Sequence, residues 1–109
     1  MTKQTQMTIY LNEPDMNGEM PMYEFIVRRL LHLHIAGATA IRGLMGYGAH
    51  ARVHRQRLFG VTDDRPILII AVDQTESIHA VLPEIRSLVP SSLITLQEIE
   101  IELGPVAYR

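Results

Sequence analysis

A chain of 109 residues, 47% hydrophobic and 20% charged, has the size and composition of a single globular domain, so one core over residues 1–109 is expected. The absence of cysteine excludes disulfide scaffolds, thiolate zinc sites and cysteine nucleophiles. A net charge of −2 argues against a nucleic-acid binder, and the longest apolar run, Ile67 to Val72, falls far short of the roughly 20 residues that cross a bilayer.

The first residues, Met1 to Gln6, carry one basic side chain and no apolar run, so a cytoplasmic protein is expected. From Gln6 to Leu11, Met7, Ile9 and Leu11 alternate with polar neighbours, the period of a half-buried strand. Asn12 to Gly18 is dense in turn formers, and Pro21 has the fixed φ that suits a helix start. Tyr23, Ile26, Val27, Leu30, Leu31 and His34 then recur at helical spacing, with Gly37 as the expected stop. Ala38 to Met45 reads as a second strand ending in glycines. The run Pro66 to Val72 is β-branched and apolar on both faces, a central strand closed by Asp73. Glu76 to Leu88 repeats the helical stripe with Ile78, Val81, Leu82 and Ile85, and Pro83 within it predicts an irregular or kinked first turn. Leu93 to Leu103 closes the chain as a strand, Ile99, Ile101 and Leu103 opposing Glu98, Glu100 and Glu102.

The order βαββαβ, with right-handed crossovers, predicts an α+β ferredoxin-like sandwich: an antiparallel four-stranded sheet with both helices on one face. Ile67 to Val72 presents aliphatic side chains to both faces, so the second face needs a cover. Another copy of the chain is the simplest one, with loops or the tail Gly104 to Arg109 as the alternative.

Arg42-Gly43-Leu44-Met45-Gly46-Tyr47-Gly48, preceded by Pro21-Met22-Tyr23-Glu24 and Ala36-Gly37-Ala38-Thr39, resembles an uncharacterised family grouped with the PII-like proteins. Ala51-Arg52-Val53-His54, Val89-Pro90 and Leu93-Ile94-Thr95-Leu96 extend the resemblance over nearly the whole chain. It implies a homotrimer with sheets packed inward and a small ligand in the clefts between subunits. The location of the family's genes beside those of a fluoride-exporting membrane protein implies a membrane-transport partner. More distantly, Gly46-Tyr47-Gly48 is similar to the glycine-aromatic-glycine motif at which nitrogen-regulatory PII signalling proteins enter a long loop, which implies an adenine nucleotide as ligand. The chain departs from that pattern at Ala49-His50, where PII proteins carry an Arg-Gln pair. It departs again at Val89-Pro90-Ser91-Ser92, where they carry a glycine-rich, lysine-containing loop.

The residues themselves allow two readings at each position. Gly43, Gly46 and Gly48 either let backbone approach a ligand or permit the bend that leaves the strand. Arg42, Arg52, Arg55 and Arg57, in or beside a stretch from Gly43 to Thr62 that lacks any acid, either grip a small anionic metabolite or form a solvated run. Tyr47 either stacks on a ring or packs. His50 and His54, four apart, suit a metal only if their segment is helical. No nucleophile elbow, phosphate-binding loop or dinucleotide fingerprint is present, and Ile67 to Val72 lacks the aromatics of an RNA-binding sheet. The expectation is a regulatory protein, not an enzyme. It would bind an anionic ligand between Gly46 and Arg57, with His54 among the contacts, and order Ala49 to Arg65 for a partner. The rivals are a metal-tolerance protein resembling the CutA family, using His50 and His54, and a small enzyme acting on an acyl phosphate or similar anion through Arg42.

Overall fold

The computed structural model describes residues 3–47 and 65–102. Along the chain run β1 (Gln4–Asn12), a short hairpin of β2 (Met16–Asn17) and β3 (Met20–Pro21), α1 (Met22–His32), β4 (Gly37–Arg42), β5 (Pro66–Gln74), α2 (Thr75–Leu88) and β6 (Ile94–Ile99). The long strands form one four-stranded sheet in the order β4-β5-β1-β6, every neighbouring pair antiparallel. This is the ferredoxin-like α+β arrangement the sequence predicts, with the β2–β3 hairpin added before α1. Gly18, at φ 62°, takes the first central position of that hairpin's turn, where an L side chain would be strained.

The alternation in β1 puts Met7, Ile9 and Leu11 on one face, and the register sets Ala71, Ile69 and Ile67 of β5 opposite them. Ile26 and Leu30 of α1 and Ile78, Val81 and Ile85 of α2 close over this surface, and all are buried. Each such aliphatic side chain contributes about 1.5–3 kcal/mol on burial. Between the helices, Arg29 forks onto Glu84, its Nη2 3.1 Å from Oε1 and its Nε bonded to Oε2. The Arg29 hydrogen bond holds the Glu84 carboxyl below its usual range against the opposing effect of desolvation, and the same contact raises Arg29.

The other face of the sheet has a different character. Three rungs cross it: Ile41 opposite Leu68 opposite Tyr10, then Thr39, Ile70 and Thr8, then Gly37, Val72 and Gln6. Leu68, Ile70 and Val72 are half-buried and Ile41 is exposed, while the helices pack on the opposite side. Among the described residues no helix lies on this face, as expected from crossovers that put both helices on one side of the sheet. The tail Gly104 to Arg109, an expected alternative cover, lies outside the described residues.

Several boundaries differ from those expected. Helix α1 stops before Gly37. Its end is a Schellman motif in which Ile35 N–H donates to Leu30 O (3.0 Å) and His34 N–H to Leu31 O (3.0 Å), with His34 in the left-handed position at φ 64°. Buried Ile35 seals the turn, whereas Leu31 and His34, placed on the apolar stripe by periodicity, are exposed. Strand β4 ends at Arg42 rather than Met45. Asp73 does not close β5; it lies inside the strand, fully buried, accepting from Ala36 N–H (3.0 Å) and Gln74 N–H (2.6 Å), and so ties the segment entering β4 to its neighbour. Helix α2 is continuous. Pro83 lies past its middle on an exposed position, where the carbonyl it leaves unpaired, that of His79, can meet water. Strand β6 ends at Ile99, so Ile101 follows it as irregular chain, its N–H held by Gln4 Oε1 at 2.5 Å.

Candidate functional site

One end of the sheet gathers four chain segments around a cavity of about 340 Å³. The end of β1 supplies Tyr10, Leu11 and Asn12, followed by Asp15; the segment leaving β4 supplies Gly43, Met45, Gly46 and Tyr47. The start of β5 supplies Pro66 and Leu68, and the turn between α2 and β6 supplies Ser91, Ser92 and Leu93. Tyr10 and Leu68 also belong to the uncovered sheet face, so the cavity opens beside that face.

Each wall is fixed by local chemistry. Asp15 accepts the Asn12 N–H on Oδ2 (3.0 Å), donates its own N–H to Asn12 O (3.0 Å) and receives Met22 N–H on its carbonyl (2.8 Å), which seats the turn after β1. Gly43 N–H donates to Pro66 O at 2.8 Å, and a β-carbon at Gly43 would lie 3.0 Å from Pro66 Cγ. A side chain there would crowd the Pro66 ring, which favours the structural one of the two readings, while the same residue lines the cavity. Gly46 is less constrained, its added β-carbon meeting Pro66 Cγ at 3.7 Å. Beyond them Leu44, Met45 and Tyr47 are all exposed, Tyr47 with 67% of its surface free.

Of the residues singled out in the sequence, Gly43, Gly46 and Tyr47 come together at this cavity, and Arg42 does not. The register places Arg42 on the helix-facing side of β4, where its guanidinium pairs with Glu13, outside the cavity wall. Glu13 is itself pinned, its N–H donating to Arg65 O at 2.8 Å. An anion grip by Arg42 would need that pair to break. Gly48, Arg52, His54, Arg55 and Arg57, together with His50, lie outside the described residues. Among the described residues no group of three or more His, Asp or Glu side chains could hold a metal ion. No helix of the described residues is long and apolar enough to cross a membrane.

The sequence reading missed Tyr10, Asn12, Asp15, Ser91 and Ser92. Tyr10 was legible as a side chain opposite the Met7, Ile9, Leu11 face, and Asn12 and Asp15 as turn formers. Nothing local connected them to Ser91 and Ser92, because only the pairing of β1 with both β5 and β6 brings the two turns together. Among the described residues the walls carry one carboxylate, Asp15, and no basic side chain. They suit an uncharged ring with hydrogen-bonding edges, with any phosphate directed outward.

A family model described as an uncharacterized ACR, the DUF190 family, matches residues 4–101, and the chain belongs to that family. A UPF0166 protein of Methanocaldococcus jannaschii is 33% identical over 106 residues, spanning 95% of this chain and 96% of the relative. A UPF0166 protein of Aquifex aeolicus is 27% identical over 101 residues, spanning 93% and 95%. Among solved structures, the chain is similar to CPII, a nitrogen regulatory PII-like protein from Thiomonas intermedia K12 bound to ADP, AMP and bicarbonate. The TM-score is 0.68 at 22% identity, covering 91% of this chain and 88% of that one. It is also similar to the divalent ion tolerance protein CutA1 from Ehrlichia chaffeensis, with a TM-score of 0.65 at 12% identity and coverage of 94% and 87%. At these identities the likeness shows a shared PII-like fold.

Proposed function

We propose that this member of the DUF190 family is a cytoplasmic, PII-like regulatory protein that works by binding rather than by turnover. Its ligand is an adenine nucleotide held in the cavity at the end of the sheet. The observation that carries this reading is the convergence of Gly43, Gly46 and Tyr47 with two polar turns on that cavity, beside an uncovered apolar sheet face. The likeness in fold to a protein crystallised with ADP and AMP supports the choice of nucleotide. Exposed Tyr47 offers a stacking surface, and Asn12, Ser91 and Ser92 offer hydrogen bonds to a base or ribose. Because the described walls hold no cation, phosphate charge falls to Arg52, Arg55 and Arg57 of the acid-free segment. Binding there would order that segment for a partner, a membrane-transport protein by the family's resemblance. Leu68, Ile70, Val72 and Ile41 supply the face on which a homotrimer would assemble.

Thermal shift and calorimetry with ADP, AMP, cyclic AMP and divalent metals test this reading. A ligand at about 100 times its Kd stabilises the folded state by about 2.7 kcal/mol, a readily measured rise in Tm. ADP or AMP should give that rise, and Tyr47→Ala should reduce it. A rise with a divalent metal alone, lost in His54→Ala, would replace this reading with a CutA-like one.

A further inference from the structure

Arg86 stands in the last turn of α2, outside the cavity wall and outside every residue set the sequence singled out. Its Nη1 lies 3.1 Å from Val89 O, 3.3 Å from Pro90 O and 2.7 Å from Ser92 O. A helix C-terminus exposes unpaired carbonyls and a partial negative charge, and a guanidinium there answers both. Here the convergence is tighter than capping requires, since three carbonyls within four residues meet one nitrogen. The same stretch closes on itself as a β-turn, Ser92 N–H donating to Val89 O at 3.1 Å with Pro90 in the position proline favours.

The geometry has a chemical consequence for the cavity. Carbonyl oxygens gathered onto Arg86 are committed to it, and the turn presents Ser91 and Ser92 to the cavity. Were those carbonyls free to turn inward, they would add negative potential to a wall that already carries the Asp15 carboxylate and, among the described residues, no cation. We propose that Arg86 is the positioning residue of this site: by holding the carbonyls of Val89, Pro90 and Ser92 it fixes the turn so that Ser91 and Ser92 face the ligand. The proposal rests on the reading of the cavity as a nucleotide site. Arg86 touches no ligand and acts through the turn.

The test compares ADP affinity by calorimetry for the unmodified protein, Arg86→Gln, Arg86→Lys, the double variant Ser91→Ala/Ser92→Ala, and that double variant combined with Arg86→Gln. Displacing hydrogen bonds from the two serines should weaken ADP about tenfold in Arg86→Gln. Arg86→Lys should recover most of the loss, because an ammonium also donates to several carbonyls. In the serine-free background Arg86→Gln should cost less than about twofold, a coupling that a purely structural role would not produce. Hydrogen exchange of the peptide spanning 88–93 should accelerate in Arg86→Gln, since the Ser92 N–H loses its fixed acceptor. Unchanged ADP affinity in Arg86→Gln, or the full loss persisting without the serines, overturns the proposal while leaving the nucleotide reading standing. Unmodified protein that binds no ADP overturns the nucleotide reading itself. In that event the exchange arm decides whether Arg86 holds the turn, and unchanged exchange refutes it.

Discussion

Gly43 and Gly46 lie three residues apart on the same exit from β4, yet the structure assigns them opposite tolerance to a methyl group. A β-carbon at Gly43 would stand 3.0 Å from Pro66 Cγ and 3.7 Å from Pro66 O, against a proline ring whose only freedom is a change of pucker. Relief comes either from a shift in the ring's pucker or from the end of β4 moving off β5, which stretches the 2.8 Å bond from Gly43 N–H to Pro66 O. Overpacking of this kind costs about 1–3 kcal/mol, offset by the roughly 0.4–1 kcal/mol that Gly→Ala gains by stiffening the unfolded chain. Gly43→Ala should therefore destabilise by about 1 kcal/mol, with an upper limit near 2.6. At Gly46 the added carbon meets Pro66 Cγ at an ordinary 3.7 Å and φ is not left-handed, so Gly46→Ala should be neutral or stabilising by up to about 1 kcal/mol. Equilibrium urea unfolding at one fixed protomer concentration measures both, because any self-association makes stability concentration-dependent. A slope near 1–3 kcal/mol per molar converts the expected difference of about 1–2 kcal/mol into a midpoint separation of about 0.3–2 M. Gly43→Ala as stable as Gly46→Ala would refute the close-approach argument.

His34 holds a left-handed φ of 64° with its side chain exposed, a conformation that costs an L residue about 1–2 kcal/mol and glycine nothing. His34→Gly should raise stability by about 0.5–1 kcal/mol after the larger unfolded-state entropy of glycine is subtracted; His34→Ala, which keeps the β-carbon, should not. A gain in both would point to the imidazole instead. Glu84 has a lowered pKa from its bond to Arg29, so the pair's stabilisation is present above the ordinary glutamate range of about 4.3 and is lost as pH falls through the lower folded value. Urea midpoints across pH 3–7 should show the advantage of the unmodified protein over Glu84→Gln shrinking toward the acid end; a constant difference would contradict the assignment. Ile70 sits at the middle of the uncovered sheet face between Thr39 and Thr8. Light scattering should show assembly for the unmodified protein and a single-protomer mass for Ile70→Glu, whose charge cannot be buried without a partner. A monomer in both would remove the sheet face as an assembly surface.

The amino-acid sequence by itself determined the architecture. The alternation of Met7, Ile9 and Leu11, the unbroken run Ile67 to Val72, and the helical stripes through Ile26, Leu30, Ile78, Val81 and Ile85 are local patterns, and burial follows them directly. The uncovered second face was legible for the same reason: a strand has two sides, and Leu68, Ile70 and Val72 alternate with Ile67, Ile69 and Ala71. Local signals failed where a non-local contact outweighed them. Glycine is the usual helix stop, yet α1 ends at His32 and the left-handed turn falls on His34, because burying Ile35 against the last turn sets the exit before Gly37 is reached. Asp73 reads as a turn former, yet two backbone N–H groups, one from across the fold, satisfy it inside a strand. The site was legible in part. Gly43, Gly46 and Tyr47 announced themselves as one glycine-rich strand exit. The β4-β5-β1-β6 order alone decided that Arg42 meets Glu13 and that Asn12 and Asp15 share a cavity with Ser91 and Ser92. Side-chain period is written residue by residue along the chain, whereas a cavity is made by strand register, which depends on every rung of the sheet at once.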